Sequence, residues 1–132
     1  MNQSIGCVSV LVRDYDEAIA FYTRALRFSV AEDTEQGEGR RWVTLAPPGS
    51  AGPRLLLARA KNDRERASVG CQAGGRVFLF LNTDDFDGDF AQMKAHGVTF
   101  REDPRQEAYG TVAVFEDLYG NLWDLIMPKA GR

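Results

Sequence analysis

Apolar and polar residues follow two different periods in the first part of the chain. Residues 5–12 alternate with a period of two, so the valines of this segment share one face of a predicted strand. The next apolar residues recur at helical spacing, and Asp14 and Glu17 before them have the spacing of a capping box. The pattern therefore predicts a strand and then an amphipathic helix that ends near Arg27 and packs on the valine face.

Three short β-rich segments follow this helix, at residues 28–31, 41–45 and 55–58. Residues 32–39 are polar and are predicted to form a turn, and the Pro-Pro-Gly sequence at 47–49 ends the second of the three segments. The predicted element order of this part of the chain is β-α-β-β-β.

The C-terminal part of the chain repeats this order. Residues 77–81 predict a strand, Asp85 the N-cap of a helix, and Gly97 the end of that helix. A short strand is predicted at 98–101, and a final hairpin at 109–128, where two apolar runs flank a group of turn-forming residues. The second part is therefore again β-α-β-β-β.

Two equal element orders indicate an internal duplication. A shift of 71 residues places Asp14 on Asp85 and aligns several other positions of the two parts. Residues 61–75 are charged and then glycine-rich, and are interpreted as a linker between a module at 1–60 and a module at 76–132. The predicted fold is α+β, with two βαβββ modules in tandem whose curved sheets form a cup for a small ligand.

The composition excludes several classes of function. With 132 residues, 44% of them hydrophobic, the chain is expected to be globular. A net charge of -3 argues against nucleic acid as a partner, and no apolar run reaches the roughly 20 residues that cross a bilayer. Cys7 and Cys71 have neither metal-site nor disulfide spacing, which favours reduced thiols and a cytoplasmic location.

One acidic residue interrupts the second apolar run of the predicted final hairpin. Asp124 lies in a strand whose neighbouring residues are apolar. A carboxylate at such a position is costly unless it is paired, solvated in a cavity or bound to a ligand. Two alternatives stay open: pairing with the backbone or with an arginine, for which Arg40, Arg41 and Arg54 are candidates, and a position facing a ligand.

The element order and several sequence segments resemble the vicinal oxygen chelate superfamily. The segments are Val12-Arg13-Asp14, Ala18-Ile19-Ala20-Phe21-Tyr22, Leu26-Arg27-Phe28 and the closing run from Glu116 to Leu125. This superfamily includes glyoxalase I, extradiol dioxygenases and the fosfomycin and bleomycin resistance proteins. The resemblance covers nearly the whole chain and implies the glyoxalase/bleomycin-resistance fold, although one fold can carry many different sites.

The resemblance also implies where a metal enzyme of this superfamily would carry its ligands. The four positions correspond to Cys7, Leu56, Phe78 and Asp124. Two of these side chains are hydrocarbons, whereas a catalytic divalent metal needs three or four donor side chains. No divalent metal or other cofactor is therefore expected, and Asp124 is the candidate catalytic residue.

Aromatic and polar residues near these positions are candidates for contact with a ligand. Phe78, Phe80 and Asn82 are expected on the cup face of one strand, with Trp42, and Tyr109 or Tyr119, adding to the lining. The full set of candidate ligand-binding residues is Cys7, Ser9, Trp42, Leu56, Phe78, Phe80, Asn82, Tyr109 and Asp124. The same aromatic residues would equally fill a cup that closes on itself as core.

Two functions from different classes fit these residues. The first, implied by the drug-sequestering members of the superfamily, is binding of a small organic ligand in the cup without a catalytic metal. The alternative is a lyase, isomerase or dioxygenase that uses a metal, or that uses Asp124 as a base. Exposed strand edges predict association with a second copy, and the resemblance implies the same, since related proteins commonly form two-fold dimers. We therefore expect a homodimer.

Overall fold

A computed structural model describes residues 1–129 and divides the chain into two units, residues 1–69 and the residues from 70 onward. The first unit contains β1 (Cys7–Val12), α1 (Tyr15–Arg24), β2 (Ser29–Gly37), β3 (Arg40–Ala46), β4 (Arg54–Arg59) and α2 (Asp63–Ser68). The second unit contains β5 (Val77–Asn82), α3 (Phe86–Ala95), β6 (Arg105–Glu107), β7 (Gly110–Glu116) and β8 (Leu122–Pro128). The predicted α+β fold with tandem βαβββ modules is confirmed. Within residues 1–129, no helix has both the length and the apolar composition needed to cross a membrane.

The first unit is built on a four-stranded mixed sheet with the order β1-β4-β3-β2. β1 and β4 run parallel, and the other neighbouring strands run antiparallel. α1 begins at the predicted place, because the Asp14 carboxylate accepts a 2.8 Å hydrogen bond from the Glu17 N–H. The valine face of β1 is buried together with β4, since Val10 and Leu57 are 0% and 1% exposed. Each such buried aliphatic side chain contributes about 1.5–3 kcal/mol.

The second unit repeats this topology with the order β5-β8-β7-β6. β5 and β8 run parallel, and β7 pairs antiparallel with both β8 and β6. The Asp85 carboxylate accepts a 3.1 Å hydrogen bond from the Gly88 N–H and so caps α3. The core of this unit is apolar, with Phe86, Phe115 and Leu125 each at most 2% exposed.

The structure corrects the prediction of a polar turn at residues 32–39. β2 continues through this segment to Gly37, and the turn is confined to Glu38 and Gly39. All nine residues of β2 are exposed, so the strand has no alternation of apolar residues that could reveal it. Backbone pairing with β3 defines this edge strand instead.

The strand predicted at residues 98–101 is also corrected. Phe100 forms an isolated bridge to Phe115 there, and the edge strand of the sheet, β6, lies further along the chain. β6 has three residues, and all three are polar. No hydrophobic pattern predicts such a strand, because its place depends only on backbone pairing with β7.

The segment interpreted as a linker, 61–75, contains the helix α2. Asn62 caps this helix by accepting a 2.8 Å hydrogen bond from the Glu65 N–H, and Glu65 accepts a 3.1 Å bond from the Lys61 N–H. None of the six residues of α2 is buried, which explains why the sequence has no apolar periodicity here. The boundary between the two units falls within the same segment.

Candidate ligand-binding site

The turn between β7 and β8 is organised by Asp117, which sets the position of Asp124. Oδ1 of Asp117 accepts hydrogen bonds of 3.0–3.1 Å from the backbone N–H groups of residues 119–121. Oδ2 accepts bonds from Nδ2 of Asn121 at 3.0 Å and from Nε1 of Trp123 at 3.2 Å. Asp117 is itself buried, so these five bonds compensate the loss of its hydration. Trp123 is therefore held on the core side of β8, and Asp124 points to the opposite face.

Asp124 is a buried carboxyl group with an unsatisfied oxygen. It lies on β8 between Phe80 of β5 and Val114 of β7, with which it is paired in register. The residue is 7% exposed, and its Oδ1 is a buried side-chain atom without a hydrogen-bond partner in the described part of the chain. Buried polar groups are normally satisfied, so an orphaned acceptor of this kind marks a place where a donor is missing.

The nearby positive charge belongs to Arg105, which is hydrogen-bonded to other carboxylates of the second unit. Nε of Arg105 bonds to Glu102 at 2.9 Å, and Nη1 contacts Glu107 closely. Hydrogen bonds to Tyr109 first, then to Glu107 and Glu102, raise the pKa of the Arg105 guanidinium further and keep it charged. Arg105 therefore acts on Asp124 through space, while the guanidinium stays bound to its own partners.

Of the three arginines that the sequence put forward as partners of Asp124, Arg41 and Arg54 are engaged within the first unit, and Arg40 has no ion pair among residues 1–129. Arg41 pairs with Asp16 at 2.9 Å and with Asp33 at 2.7 Å. Arg54 lies 3.5 Å from a carboxylate oxygen of the same sheet. Sequence reasoning missed Arg105, because all of its neighbours in β6 are polar and nothing in their pattern connects them to Asp124.

The protonation of Asp124 is shifted by this environment. Burial raises the pKa of the Asp124 carboxyl, the negative charge of Glu102 raises it further, and Arg105 opposes the shift. A carboxyl group with a raised pKa holds its proton to higher pH than an exposed one. Asp124 is thus suited to exchange hydrogen bonds with a bound molecule, either accepting or donating according to its protonation state.

An aromatic ring stands beside this carboxyl group on the same face of the sheet. Phe80 is paired in register with Asp124 and is 62% exposed, and Asn82, two residues further along β5, is also exposed. The register of β5 against β8 shifts between Val77 and Leu79, which leaves Phe78 without a register partner, and its place on the face of Phe80 stays a prediction. Such a shift is typical of a β-bulge, at which the simple alternation of side chains between the two faces is interrupted.

A separate polar cluster on the first sheet is centred on Glu32. Oε1 of Glu32 accepts hydrogen bonds from Nε1 of Trp42 at 3.2 Å and from Oγ1 of Thr44 at 3.0 Å. Nη1 of Arg54 lies 3.5 Å from the same oxygen. Glu32 thereby fixes the orientation of the indole of Trp42, which is 37% exposed. The sequence prediction missed Glu32 because it placed this residue in a turn.

The other candidates of the first unit share the face of this cluster. Ser9 is paired in register with Leu56, and Leu56 with Thr44. Cys7 lies two residues before Ser9 and is exposed, as is Cys71, and the two thiols form no disulfide. The structure therefore places the four candidates of the first unit on one sheet face, namely Cys7, Ser9, Trp42 and Leu56.

Comparison with known proteins identifies the family. The profile of the Glyoxalase/Bleomycin resistance protein/Dioxygenase superfamily matches residues 4–125. The chain belongs to this superfamily. An uncharacterized protein of Shewanella frigidimarina is 57% identical over 127 residues, which are 96% of this chain and 94% of that protein.

Two solved structures superpose on this chain over nearly its whole length. The crystal structure of UcmS2 has a TM-score of 0.82 and 28% sequence identity, and the match covers 96% of this chain and 98% of that chain. The crystal structure of TnmS3, an antibiotic binding protein from Streptomyces sp. CB03234, has a TM-score of 0.79 and 29% identity, with 97% and 98% covered.

The positions at which this superfamily member would hold a metal offer a poor donor set. Leu56 and Phe78 are hydrocarbons, Cys7 is a thiol beside an arginine in register, and Asp124 is the one carboxyl group of the four. In residues 1–129, no group of three His, Cys, Asp or Glu side chains is placed to bind one metal ion. These residues do not fit a catalytic divalent metal, which takes at least three protein ligands.

Proposed function

We propose that this protein binds a small organic molecule at the Asp124 face without using a catalytic metal. The observation that carries the proposal is the pairing of an unsatisfied, buried Asp124 oxygen with the exposed ring of Phe80 on the same sheet face. Ligand sites typically combine an apolar or aromatic surface with a few converging polar groups. The similarity to TnmS3, an antibiotic binding protein, supports the same class of function.

The chemistry of the two groups defines the class of ligand. Asp124 needs a donor, such as a hydroxyl or an N–H group, to satisfy Oδ1. Phe80 offers an aromatic face, and its 62% exposure leaves most of that surface to a partner. An aromatic molecule that carries a hydrogen-bond donor satisfies both, and a hydrogen bond to a charged acceptor contributes about 1.5–3 kcal/mol.

The test uses two aromatic probes that differ in one donor. 2-Naphthol and 2-methoxynaphthalene are titrated into the full-length protein, and binding is followed by ligand-observed NMR with and without EDTA. We expect 2-naphthol to bind about tenfold more tightly, because about 1.4 kcal/mol corresponds to a factor of ten. Chelation by EDTA is expected to leave the affinity unchanged, since no metal takes part.

Three variants test whether the preference for 2-naphthol comes from Asp124 and the affinity for both probes from Phe80. Asp124→Leu should remove the preference for 2-naphthol, and Phe80→Ala should weaken both probes by about tenfold. Ile5→Ala is the matched control, since Ile5 is 67% exposed and lies outside the strands and helices. Equal affinity for the two probes, or a preference that survives in Asp124→Leu, would contradict the proposal.

A second candidate function is favoured by the raised pKa of Asp124. Groups with shifted pKa values are common among catalytic acids and bases, so a metal-free lyase or isomerase with Asp124 as base is the alternative. An enzyme of this kind should turn over its substrate faster as the pH rises through the raised pKa of Asp124, and Asp124→Asn should abolish turnover. Both results together would favour this alternative over binding alone.

We also propose that the protein is a cytoplasmic homodimer. Several large apolar side chains outside the Asp124 face lie exposed on the strands or next to them, namely Val30, Trp42 and Tyr109. Edge strands such as β2 also leave unpaired backbone groups, which are commonly covered by association with a second copy. The two thiols, which form no disulfide, support the cytoplasmic location.

A further inference from the structure

The first unit contains a notch at the end of its sheet where β3 and β4 separate. Three register pairs join these strands, from Val43 with Leu57 to Leu45 with Leu55. β3 nevertheless begins three residues earlier, at Arg40, and β4 continues two residues further, to Arg59. The cavity between the two strand ends has a volume of about 620 Å³. It lies wholly within the first unit.

Tyr15, the first residue of α1, forms the floor of this notch. Its hydroxyl accepts a 3.2 Å hydrogen bond from the backbone N–H of Arg41, which β4 does not pair. The guanidinium carbons of Arg41 and Arg59 lie 5.2 Å and 5.6 Å from the centre of the ring. Tyr15 is 7% exposed, so these contacts hold the two guanidinium groups in place by cation–π attraction.

The positive charges around the notch differ in how they are balanced. Arg41 is neutralised by two carboxylates, at 2.9 Å and 2.7 Å, and Arg66 by Asp63 at 2.7 Å. Glu65 is the one carboxylate among the described residues that line the notch, and it accepts the backbone N–H of Lys61. These two arginines are therefore not available to an anion.

Three further cations of the notch have no ion-pair partner within residues 1–129. They are Arg40 at the start of β3, Arg59 at the end of β4, and Lys61 two residues after it. A net charge of -3 for the whole chain makes this local excess of positive charge unusual. Unpaired cations along a partly enclosed cavity favour an anionic occupant.

We propose that this notch binds a small organic anion through its carboxylate or phosphate group. Arg59 is the central residue, because a guanidinium fork matches two oxygens of either group and its stacking on Tyr15 orients it beforehand. Arg40 and Lys61 add charge from the two strand ends.

This site is chemically distinct from the Asp124 face. Asp124 has an unsatisfied acceptor and suits a neutral molecule with a donor, whereas the notch has unpaired donors and suits an anion. A phosphate or carboxylate would be repelled by an ionised Asp124 and attracted by Arg59. The two sites can therefore be tested with different probes in the same protein.

The experiment is an NMR titration of the full chain with inorganic phosphate and, separately, with benzoate. We expect saturable shifts in the backbone amide signals of residues 39–42 and 58–61, and competition between the two anions. Saturation by phosphate alone would assign the site to phosphate esters, and saturation by benzoate alone to carboxylates. Non-saturable shifts spread over all basic side chains would overturn the proposal.

Charge variants complete the test. Lys61→Gln and Arg59→Gln should each weaken binding by about fivefold or more, as expected for a lost charge-assisted hydrogen bond. Lys61 is exposed and unpacked, so its variant stays informative even where Arg59→Gln disturbs the stacking on Tyr15. Arg76→Gln, an exposed arginine of the second unit, is the matched control. Equal affinity in Lys61→Gln, Arg59→Gln and the control would also overturn the proposal.

Discussion

Asp124 is tolerated in β8 at a cost to the stability of the fold. Its Oδ1 is buried and unsatisfied in the described part of the chain, and such a group typically costs about 1–3 kcal/mol. Arg105 does not offset this cost by a direct bond, since its Nε binds Glu102 and its Nη1 binds Glu107. A buried, unfavourable polar group that the fold nevertheless retains is typical of a site that serves a ligand.

Replacing Asp124 by leucine is therefore expected to stabilise the free protein at neutral pH. The raised pKa means that the folded state holds the proton of Asp124 more tightly than the unfolded state. The resulting stability is present in full below the ordinary aspartate pKa and is lost as the pH rises through the folded-state value. Asp124→Leu has no carboxyl group to lose its proton as the pH rises. We therefore expect its free energy of unfolding to exceed that of the wild type by about 1–3 kcal/mol at pH 7 and by less at pH 4.

Urea unfolding at pH 4 and pH 7, followed by circular dichroism, measures this difference. Asp84→Leu is the control, because it also replaces an aspartate by leucine, and Asp84 is exposed and lies outside the strands and helices. A pH-independent difference between Asp124→Leu and the wild type would show that Asp124 is not the titrating group.

At the scale of elements, the hairpin that carries Asp124 is held from two sides. Asp117 binds the turn from within through five hydrogen bonds. From outside, the N–H of Gln72 bonds to Oδ1 of Asn121 at 3.2 Å, and Gly70 lies directly against the carbonyl of Tyr119. The loop that precedes β5 is thus part of the support of the candidate site.

The close approach at Gly70 gives a steric prediction. A Cβ atom there would overlap the carbonyl oxygen of Tyr119, whereas a Cβ at Gly74 would meet no atom within 4 Å. Both glycines have positive φ, +82° and +66°, so alanine carries a similar backbone cost at each. We expect Gly70→Ala to be about 1–3 kcal/mol less stable than Gly74→Ala, because only the first also forces the loop and the turn apart.

Thermal and urea unfolding of the two variants, in parallel, isolate the steric part of this effect. The loop shift in Gly70→Ala should also weaken 2-naphthol binding through Asp124. Equal stability of the two alanine variants would mean that the loop moves away without resistance.

At the scale of the whole molecule, the two units share a topology but differ in their chemistry. Their sheets have corresponding orders, β1-β4-β3-β2 and β5-β8-β7-β6. Where the second sheet has Asp124 beside Phe80, the first has Leu56 beside Ser9. One copy of the duplicated module therefore carries an unsatisfied acid, and the other carries the cationic notch.

The proposed homodimer gives a prediction at this scale. Light scattering after size exclusion should give twice the mass of the chain for the wild type. Val30→Asp places a charge at a 43% exposed apolar position of the edge strand β2 and should shift the protein towards monomer, whereas Ile5→Asp, at a 67% exposed position outside the strands, should not. A monomer mass for the wild type at micromolar concentration contradicts the proposal.

Local chemistry in the sequence was sufficient to predict the fold class and the central elements. Asp14 and Asp85 mark helix starts because the hydrogen bonds of an N-cap are made within three residues. The turn at 117–121 is predictable for the same reason. Asp124 stands out because a carboxyl group is rare in an apolar strand, whatever surrounds it.

Tertiary structure alone decided the features that depend on distant partners. β2 and β6 are polar edge strands, and their places follow from backbone pairing, which leaves no hydrophobic pattern in the sequence. The register shift at Phe78 is a property of the pairing between β5 and β8. The charge near Asp124 comes from Arg105 of β6, whose Nε and Nη1 bond to Glu102 and Glu107. Sequence alone thus identified the exceptional carboxyl group. Only the folded chain determined that its Oδ1 has no partner among residues 1–129, because the groups within hydrogen-bond distance of an atom are set by tertiary packing.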